Sequence, residues 1–270
     1  MSERDKVFAG SIPKFYDTLM VPLIFADYAA DLAELVAASS PASVLETAAG
    51  SGVVTRALAP KLPVGARYVV TDLNQPMLDH AAARQVPDSR IEWRRVDALD
   101  LPFDDASFDV VCCQFGAMFF PDRVLGYTEA RRVLRPAGRF IFNVWDRIEE
   151  NAFADDVTIA VAAVFPHDPP GFLARTPHGY HDTALIREEL RRAGFADIEI
   201  ETREKVSRAA SARDAAAAYC LGTPLRNEIE ARDANLLQLA MDRATQAIAR
   251  RHGEGPVTGK IQAHVIVATR

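Results

Sequence analysis

Short apolar runs alternate with amphipathic segments through the first half of the chain. Near-continuous apolar runs, of which Phe108 to Cys113 and Arg139 to Val144 are the clearest, predict strands that are buried on both faces. We place strands at about residues 43–47, 67–72, 91–96, 108–114 and 138–145, and helices near 52–62, 75–85 and 122–135. The alternation predicts a mostly parallel sheet that is covered by helices.

Longer irregular stretches separate the elements elsewhere. A helix is predicted from Phe15 to Val36, with Pro22 interrupting it. After Asp146 we expect helices near 150–165 and 183–193 and strands near 196–202 and 261–269. Between those last two strands lie about 50 residues of Ala-rich sequence with helical spacing, which we expect to form a cap.

A turn of small residues follows the first predicted strand. Its members are Ala48, Ala49, Gly50 and Gly52. Small side chains leave backbone N–H groups accessible at the start of the next helix, where a ligand can lie against them. Asp72 ends the second apolar run, and its carboxylate can accept both hydroxyl groups of a ribose. The turn and the acid together predict a nucleoside-binding half of a sheet.

Two residues distinguish among nucleoside cofactors. The dinucleotide pattern needs a third glycine where Thr55 stands, so a nicotinamide cofactor is disfavoured. Glu46 would repel a pyrophosphate, whereas it would attract a sulfonium or an ammonium group. The sequence also lacks a phosphate-binding G-x-x-x-x-G-K-[ST] run. The pattern therefore favours a cationic nucleoside without phosphate.

Composition narrows the class of protein further. Of the 270 residues, 49% are hydrophobic and 25% charged, which is enough for one large core with or without a cap. A net charge of -6 without long Lys/Arg blocks argues against nucleic acid as a partner. The three cysteines show no C-x-x-C spacing, so we expect buried thiols and no metal site. A charged N-terminus and short apolar runs predict a cytoplasmic protein without stable membrane insertion.

Two further segments complete a family pattern. Asp97 to Asp109 reads D-A-L-D-L-P-F-D-D-A-S-F-D, and Arg132 to Arg139 reads R-V-L-R-P-A-G-R. With the small-residue turn and Asp72, they resemble the class I S-adenosylmethionine-dependent methyltransferases, in the branch that includes the ubiquinone and menaquinone C-methyltransferases. The resemblance implies an α/β, Rossmann-like fold: a seven-stranded, mostly parallel sheet with an antiparallel last strand, helices on both faces and a helical cap.

The resemblance also implies a cofactor and the residues that bind it. S-adenosyl-L-methionine is the expected cofactor, and S-adenosyl-L-homocysteine is its product. The matched positions are Glu46, Ala48, Gly50 and Gly52 near the methionyl end, Asp72 at the ribose, Leu73, Met77, Asp97 and Ala98 at the adenine, and Gln114 towards the transfer site. Tyr16, on the N-terminal helix, is expected to close over the methionyl end.

Several of these positions have a purely structural alternative. Leu73 and Met77 could be core residues, as apolar residues at the start of an amphipathic helix usually are. Asp97 could cap a helix or form a turn. Gln114 could be an ordinary polar residue at a strand end, and Tyr16 could pack in the core.

The methyl acceptor is expected to be a small, partly apolar metabolite that reacts at O, N or an enolic C. Phe115, Phe119 and Tyr180 are expected to contact it. His178 and His181 lie in a loop after the fifth strand, and either is expected to serve as a base or to orient the acceptor. A structural role for these histidines is the alternative.

The predicted organisation has six parts. They are an N-terminal helical cover (1–40), the cofactor-binding core (41–146), a lid loop and helix (147–182), a core helix and strand (183–203), a helical cap insertion (204–258) and a final core strand (259–270). No oligomeric state is predicted. A non-catalytic nucleoside-binding module that presents its cap to a protein is the alternative to an enzyme, and a nicotinamide oxidoreductase is the third reading.

Overall fold

A seven-stranded sheet organises the fold in the computed structural model, which describes residues 15–270. Its strands are β1 (Ser43–Glu46), β2 (Arg67–Asp72), β3 (Ile91–Arg95), β4 (Phe108–Gln114), β5 (Leu134–Trp145), β6 (Asp197–Ala209) and β7 (Val257–Thr269). The strand order is β3-β2-β1-β4-β5-β7-β6. Strands β1 to β5 pair in parallel, and the last strand is antiparallel, so the predicted fold class is confirmed.

Apart from the short helix α6, the helices follow the strands in the order that the hydrophobic pattern predicts. They are α1 (Ala26–Ala37), α2 (Val53–Leu58), α3 (Gln75–Arg84), α4 (Arg123–Val133), α5 (Ala152–Val164), α6 (Phe172–Arg175), α7 (Thr183–Arg192), α8 (Ala212–Gly222), α9 (Leu225–Asp233) and α10 (Leu237–His252). Asp122 caps α4 and Asp182 caps α7, each through a side-chain oxygen that accepts a backbone N–H. Over residues 15–270, none of the helices combines the length and the apolar character needed to cross a bilayer.

The N-terminal helical region differs from its prediction. Residues Tyr16–Phe25 form a π-helical segment that contains Pro22, and the N–H of Ala26 donates to the carbonyl of Val21, five residues earlier. Pro22 has no N–H to donate, so a regular α-helical ladder cannot pass through it, and wider turns replace the predicted break. Residues 1–14 of the predicted N-terminal cover lie outside the described residues.

The chain divides into two compact units. Among the described residues, the first unit comprises 15–26, 145–180 and 203–263, and the second comprises 27–144, 181–202 and 264–270. The second unit therefore includes α1, which the sequence assigns to the N-terminal cover.

Packing explains why α1 belongs with the second unit. Its buried side chains Leu32 and Val36 share one apolar cluster with Val44 of β1 and with Tyr68 and Val70 of β2. Each fully buried aliphatic side chain of this size contributes about 1.5–3 kcal/mol. The cluster thus fixes β1 and β2 in the sheet, and with them the loops that leave their carboxyl ends.

Candidate functional site

In the loop after β1, residues with small side chains or none leave the backbone uncovered. Ala48, Gly50 and Gly52 have positive φ angles of 51°, 57° and 76°. Glycine adopts this conformation readily, whereas an alanine pays about 1–2 kcal/mol. If a Cβ were placed on Gly50, the nearest atom among the described residues, apart from its chain neighbours, would be the Cε of Met77, at 3.7 Å. The Gly50 backbone therefore borders a space that a ligand can fill.

Asp72 connects this loop to the end of β2. Its Oδ2 accepts the Gly50 N–H at 2.8 Å, and its Oδ1 accepts the Asn74 N–H at 2.7 Å. Burial raises the pKa of Asp72, and these backbone donors act in the opposite direction. A carboxylate oxygen can accept two hydrogen bonds, so the bond from Gly50 leaves capacity for a ligand hydroxyl. The predicted pairing of the small-residue turn with this acid is present in the structure.

Glu46 lies in the core rather than on the surface of the loop. It is 1% exposed, and its Oε2 accepts the hydroxyl of Thr55 at 2.7 Å as well as the hydroxyl of Tyr68. Burial raises the pKa of Glu46 to about 7, while the two hydroxyl donors and Arg56 lower it. Its side chain is therefore directed towards Thr55 and Tyr68, and the role of Glu46 in cofactor binding stays a prediction.

The residues predicted at the adenine have mixed surroundings. Met77 is buried, whereas Leu73 is 39% exposed and so is not a core residue. Asp97 is exposed, and its Oδ1 accepts the Leu99 N–H at 3.0 Å. Asp97 thus forms the turn that the sequence left open as an alternative, and Ala98 lies within that turn.

Arg132 holds the segment that follows this turn, a role that sequence reasoning missed. Its guanidinium donates to the carbonyls of Leu101 and Phe103, each at 2.7 Å. It also pairs with Glu129 at 2.7 Å and with Asp105 at 2.9 Å. Arg132 stands in the R-V-L-R-P motif, but the motif does not reveal partners that lie about 30 residues earlier in the chain.

The turn after β4 is strained and held by a side chain that the sequence did not single out. Phe115 has a φ of 50°, and its N–H donates to both the carbonyl and the Oδ1 of Asn143, at 3.1 and 3.0 Å. Its ring is buried against Tyr28, with the centroids 5.5 Å apart. Gln114 is half-buried at the end of β4, and Phe119 is half-buried in the short 3-10 turn Ala117–Phe119.

Two small residues bring the loops after β1 and β4 together. A Cβ placed on Gly116 would lie 2.5 Å from the Cβ of Ala48 and 2.8 Å from the Sγ of Cys113. The close approach requires glycine at 116 and a small residue at 48. The two loops therefore meet at the carboxyl edge of the sheet, where ligands bind in folds of this kind.

The remaining predicted residues fall in different parts of the chain. In the first unit, His178 and Tyr180 are buried, and the Tyr16 ring stacks on Phe25 at 5.0 Å. The Nδ1 of His178 lies 2.8 Å from the carbonyl oxygen of Asp146. A carbonyl can only accept, so Nδ1 carries a proton. His181 is half-buried and belongs to the second unit.

Comparisons with known proteins agree with this geometry. A family model for the methyltransferase domain matches residues 45–142. A demethylmenaquinone methyltransferase from Clavibacter sepedonicus is 32% identical over 58% of this chain and 66% of its own length. One from Mycolicibacterium gilvum is 31% identical over 59% of this chain and 71% of its own length. A solved structure of a provisionally named methyltransferase from Bacillus halodurans has a TM-score of 0.60 at 18% identity, covering 90% of this chain and 98% of that one.

The seven-stranded sheet and the helices around it define a Rossmann-like methyltransferase fold. The chain belongs to the class I S-adenosylmethionine-dependent methyltransferases, and the resemblance drawn from its motifs is confirmed. The matched regions span 66%, 45% and 43% of the lengths of three curated relatives, so the chain matches only part of each.

Proposed function

We propose that this protein transfers the methyl group of S-adenosylmethionine to an oxygen, a nitrogen or an enolic carbon of a small, partly apolar metabolite. One observation carries the proposal: the buried Asp72 carboxylate is fixed by the Gly50 N–H at 2.8 Å, between the loops that follow β1 and β2. A carboxylate in this position would accept the hydroxyls of a ribose that lies against the uncovered backbone. Family membership supports the same cofactor.

The residues of the chain would bind and orient the reactants. When bound, the cofactor supplies a methyl group that is already activated on its sulfonium. Asp72 would accept the ribose hydroxyls, Leu73 and Met77 would flank the adenine, and the Asp97 carboxylate and the Ala98 N–H would bind the adenine edge. Gln114 would lie towards the transfer site. Most of the rate enhancement would then come from alignment and from exclusion of water.

An acceptor with a hydroxyl group needs a base, and His178 is the first candidate. Its Nδ1 donates to the carbonyl of Asp146, which fixes the orientation of the ring. His181 is the second candidate, and Phe115, Phe119 and Tyr180 would contribute apolar contacts to the acceptor. Because several relatives are named demethylmenaquinone methyltransferases, quinone-like hydroxyl compounds come first among the acceptors to be tested.

Calorimetry followed by a transfer assay tests the proposal. We expect both S-adenosylmethionine and S-adenosylhomocysteine to bind, and labelled methyl to move from the former to at least one member of a panel of quinols, phenols, enols and amines. Absence of binding by either nucleoside would overturn the proposal. Binding of both without transfer to any acceptor would instead indicate a non-catalytic nucleoside-binding module.

The same assay tests the proposed base. His178→Ala is expected to lower the rate with a hydroxyl acceptor by about 10²-fold or more, since general bases typically contribute that much, while affinity for S-adenosylhomocysteine stays unchanged. His167→Ala is the matched control, because His167 is an exposed histidine of the same loop. Equal pH profiles for the wild type, His178→Ala and His181→Ala would remove histidine from the mechanism.

A further inference from the structure

We infer that Asn151 is a positioning residue for the candidate base His178. Its side-chain amide fixes the carbonyl group of Asp146, and that carbonyl fixes the tautomer and the orientation of the His178 ring. This role rests on the proposed function and deepens it, because Asn151 acts on the transfer step through His178. The three residues all belong to the first unit.

Two consecutive residues at the end of β5 hold the His178 ring. The centroid of the Trp145 ring lies 6.0 Å from that of His178. The Nδ1–H of His178 donates to the carbonyl of Asp146 at 2.8 Å, and His178 is only 6% exposed, so the bond is shielded from solvent. The bond made by one ring nitrogen of a histidine sets the tautomer that the other nitrogen presents. The position of the Asp146 carbonyl therefore decides how His178 can act.

The amide of Asn151 binds the same carbonyl oxygen. Its Nδ2 lies 3.3 Å from the Asp146 oxygen, 3.1 Å from the carbonyl of Arg147 and 3.3 Å from that of Gln262. Its Oδ1 accepts the N–H of Gln262 at 3.1 Å. Carbonyls only accept and an N–H only donates, so a single orientation of the amide satisfies these partners. Asn151 is 1% exposed, and its amide is thereby committed to this backbone.

Asn151 stands where its side chain would ordinarily serve a helix. It occupies the N-cap position of α5, at which an asparagine oxygen usually accepts an N–H of the first turn. Within residues 15–270, the Asn151 side chain makes no such cap bond to α5. A side-chain cap is worth about 1 kcal/mol, so the helix forgoes that stabilisation. The amide instead serves the segment that receives His178.

Gln262 of β7 holds the other groups of Asp146. Its Nε2 donates to the Asp146 Oδ2 at 2.6 Å, and its carbonyl accepts the Asp146 N–H at 3.1 Å. Gln262 thus fixes the carboxylate and the N–H of Asp146, whereas Asn151 binds the carbonyl itself. Without the Asn151 amide, the carbonyl can turn and the His178 ring can adopt its second tautomer.

Nitrogen-15 NMR of the histidine rings tests the inference directly and needs no ligand. Spectra are recorded at about pH 8, where an ordinary histidine is neutral, and the His178 signals are assigned by their absence in His178→Ala. We expect the wild type to show the Nδ1–H tautomer of His178 alone and Asn151→Ala to show a mixture of the two tautomers. A single, unchanged tautomer in Asn151→Ala would overturn the inference.

Two further variants keep this comparison decisive. Asn235→Ala is the matched control, because Asn235 is exposed and its Nδ2 donates to Asp233 within its own turn, at 3.0 Å. Its spectrum should match that of the wild type. Asn151→Asp carries the test if Asn151→Ala does not fold: aspartate has the same shape and is a good N-cap residue, but its carboxylate cannot donate to the Asp146 carbonyl. It should show the same mixture of tautomers.

A double-mutant cycle shows whether Asn151 acts on catalysis through His178. Single-turnover methyl transfer to 1,4-naphthoquinol is measured for the wild type, Asn151→Ala, His178→Ala and the double variant. We expect Asn151→Ala to lower the rate by about 10-fold or more, as misplacement of a catalytic group does, with unchanged affinity for S-adenosylhomocysteine. The double variant should be no slower than His178→Ala. A merely structural role would slow the double variant further and would contradict the inference.

The possible failures are distinguishable. If neither nucleoside binds, the proposed function fails, whereas the NMR comparison still decides whether Asn151 fixes the ring. If methyl transfer occurs and His178→Ala slows it, but both Asn151 variants keep the wild-type tautomer, only the inference about Asn151 is overturned. If His178→Ala is as fast as the wild type, His178 is not the base and the inference falls with it.

Discussion

Ala48 and Phe115 store backbone strain where two neighbouring strands end. Their φ angles are 51° and 50°, a conformation that costs a non-glycine residue about 1–3 kcal/mol. Asn143 holds Phe115 through two acceptor atoms, and Gly116 leaves room for the Ala48 side chain. Strain that the surroundings maintain in this way is typical of ligand sites, and here it coincides with the loops predicted to bind the nucleoside.

Glu46 should make the stability of the protein depend on pH. Its pKa rises from 4.5 to about 7 on folding, so the folded state binds the additional proton between these values. The stabilisation is therefore fully present below about pH 4.5 and is lost as the pH rises to about 7, amounting to roughly 3 kcal/mol at about 1.4 kcal/mol per unit.

Urea unfolding of the wild type and Glu46→Gln across that range measures this contribution. The free energy of unfolding of the wild type should fall relative to that of the variant as the pH rises from about 4.5 to about 7 and then run parallel to it. The difference between the two proteins removes the contributions of other carboxyl groups. A constant difference at all pH values would contradict the assigned titration.

The placement of single residues was predictable to different degrees. Gly50 and Asp72 could be brought together from the sequence, because each follows a strand and parallel neighbouring strands end at the same edge. The inward direction of Glu46 could not, since it depends on Thr55 and Tyr68, which lie 9 and 22 residues away in the chain. The role of Asn143 could not be predicted either, because it lies inside an apolar strand and its bonds to the Phe115 N–H are visible only in the structure.

The first four strands were predicted to within one residue at each end, and the last three less closely. Strand β4 has its predicted bounds, because its side chains are nearly all buried and apolar. Strand β5 begins at Leu134, earlier than predicted, and a register shift between Phe108 and Val110 accommodates the start of the pairing. Strand β6 continues to Ala209 with mostly exposed, polar side chains, as an edge strand does. The apolar pattern does not extend over this part of the strand, so the predicted end lies too early.

Arg132 should control the order of the segment between β3 and β4. Arg132→Lys retains the positive charge, but a lysine cannot reach both the Leu101 and Phe103 carbonyls while it pairs with Glu129. We expect a loss of about 1–3 kcal/mol in stability, as for other buried or part-buried hydrogen-bond networks. Amide hydrogen exchange over residues 97–105 should also be faster.

Hydrogen exchange followed by mass spectrometry checks this expectation. Arg135→Lys is the control, because Arg135 makes an exposed ion pair with Asp109. Within residues 15–270, Arg135 does not donate to the Leu101 or Phe103 carbonyls. Its exchange over 97–105 should match the wild type. Unaltered protection of this segment in Arg132→Lys would show that the Arg132 bonds to the Leu101 and Phe103 carbonyls do not control its order.

Strand order explains why the candidate site lies where it does. In the order β3-β2-β1-β4-β5, the chain moves from β1 to β2 in one direction and then returns to place β4 on the other side of β1. The loops that leave β1 and β4 are in contact at the centre of the sheet, but the connections continue to opposite sides, to β2 and to β5, and this reversal is the switch point at which such folds bind ligands. The alternating pattern predicted the mostly parallel sheet but not the order of its strands, and the irregular segment 167–182 gave no sign of the short helix α6 or of the buried His178.

The central claim is that Asp72 and the loop after β1 hold the ribose of a nucleoside cofactor. The most direct test compares, by calorimetry, the affinity for S-adenosylhomocysteine with that for its 2′-deoxy analogue in the wild type, Asp72→Asn and the control Asp79→Asn. We predict that the wild type and Asp79→Asn prefer the ribose form by about 10-fold or more, the value of a hydrogen bond to a charged group, and that Asp72→Asn loses most of this preference. Equal affinity of the wild type for both compounds, or an undiminished preference in Asp72→Asn, would contradict the claim.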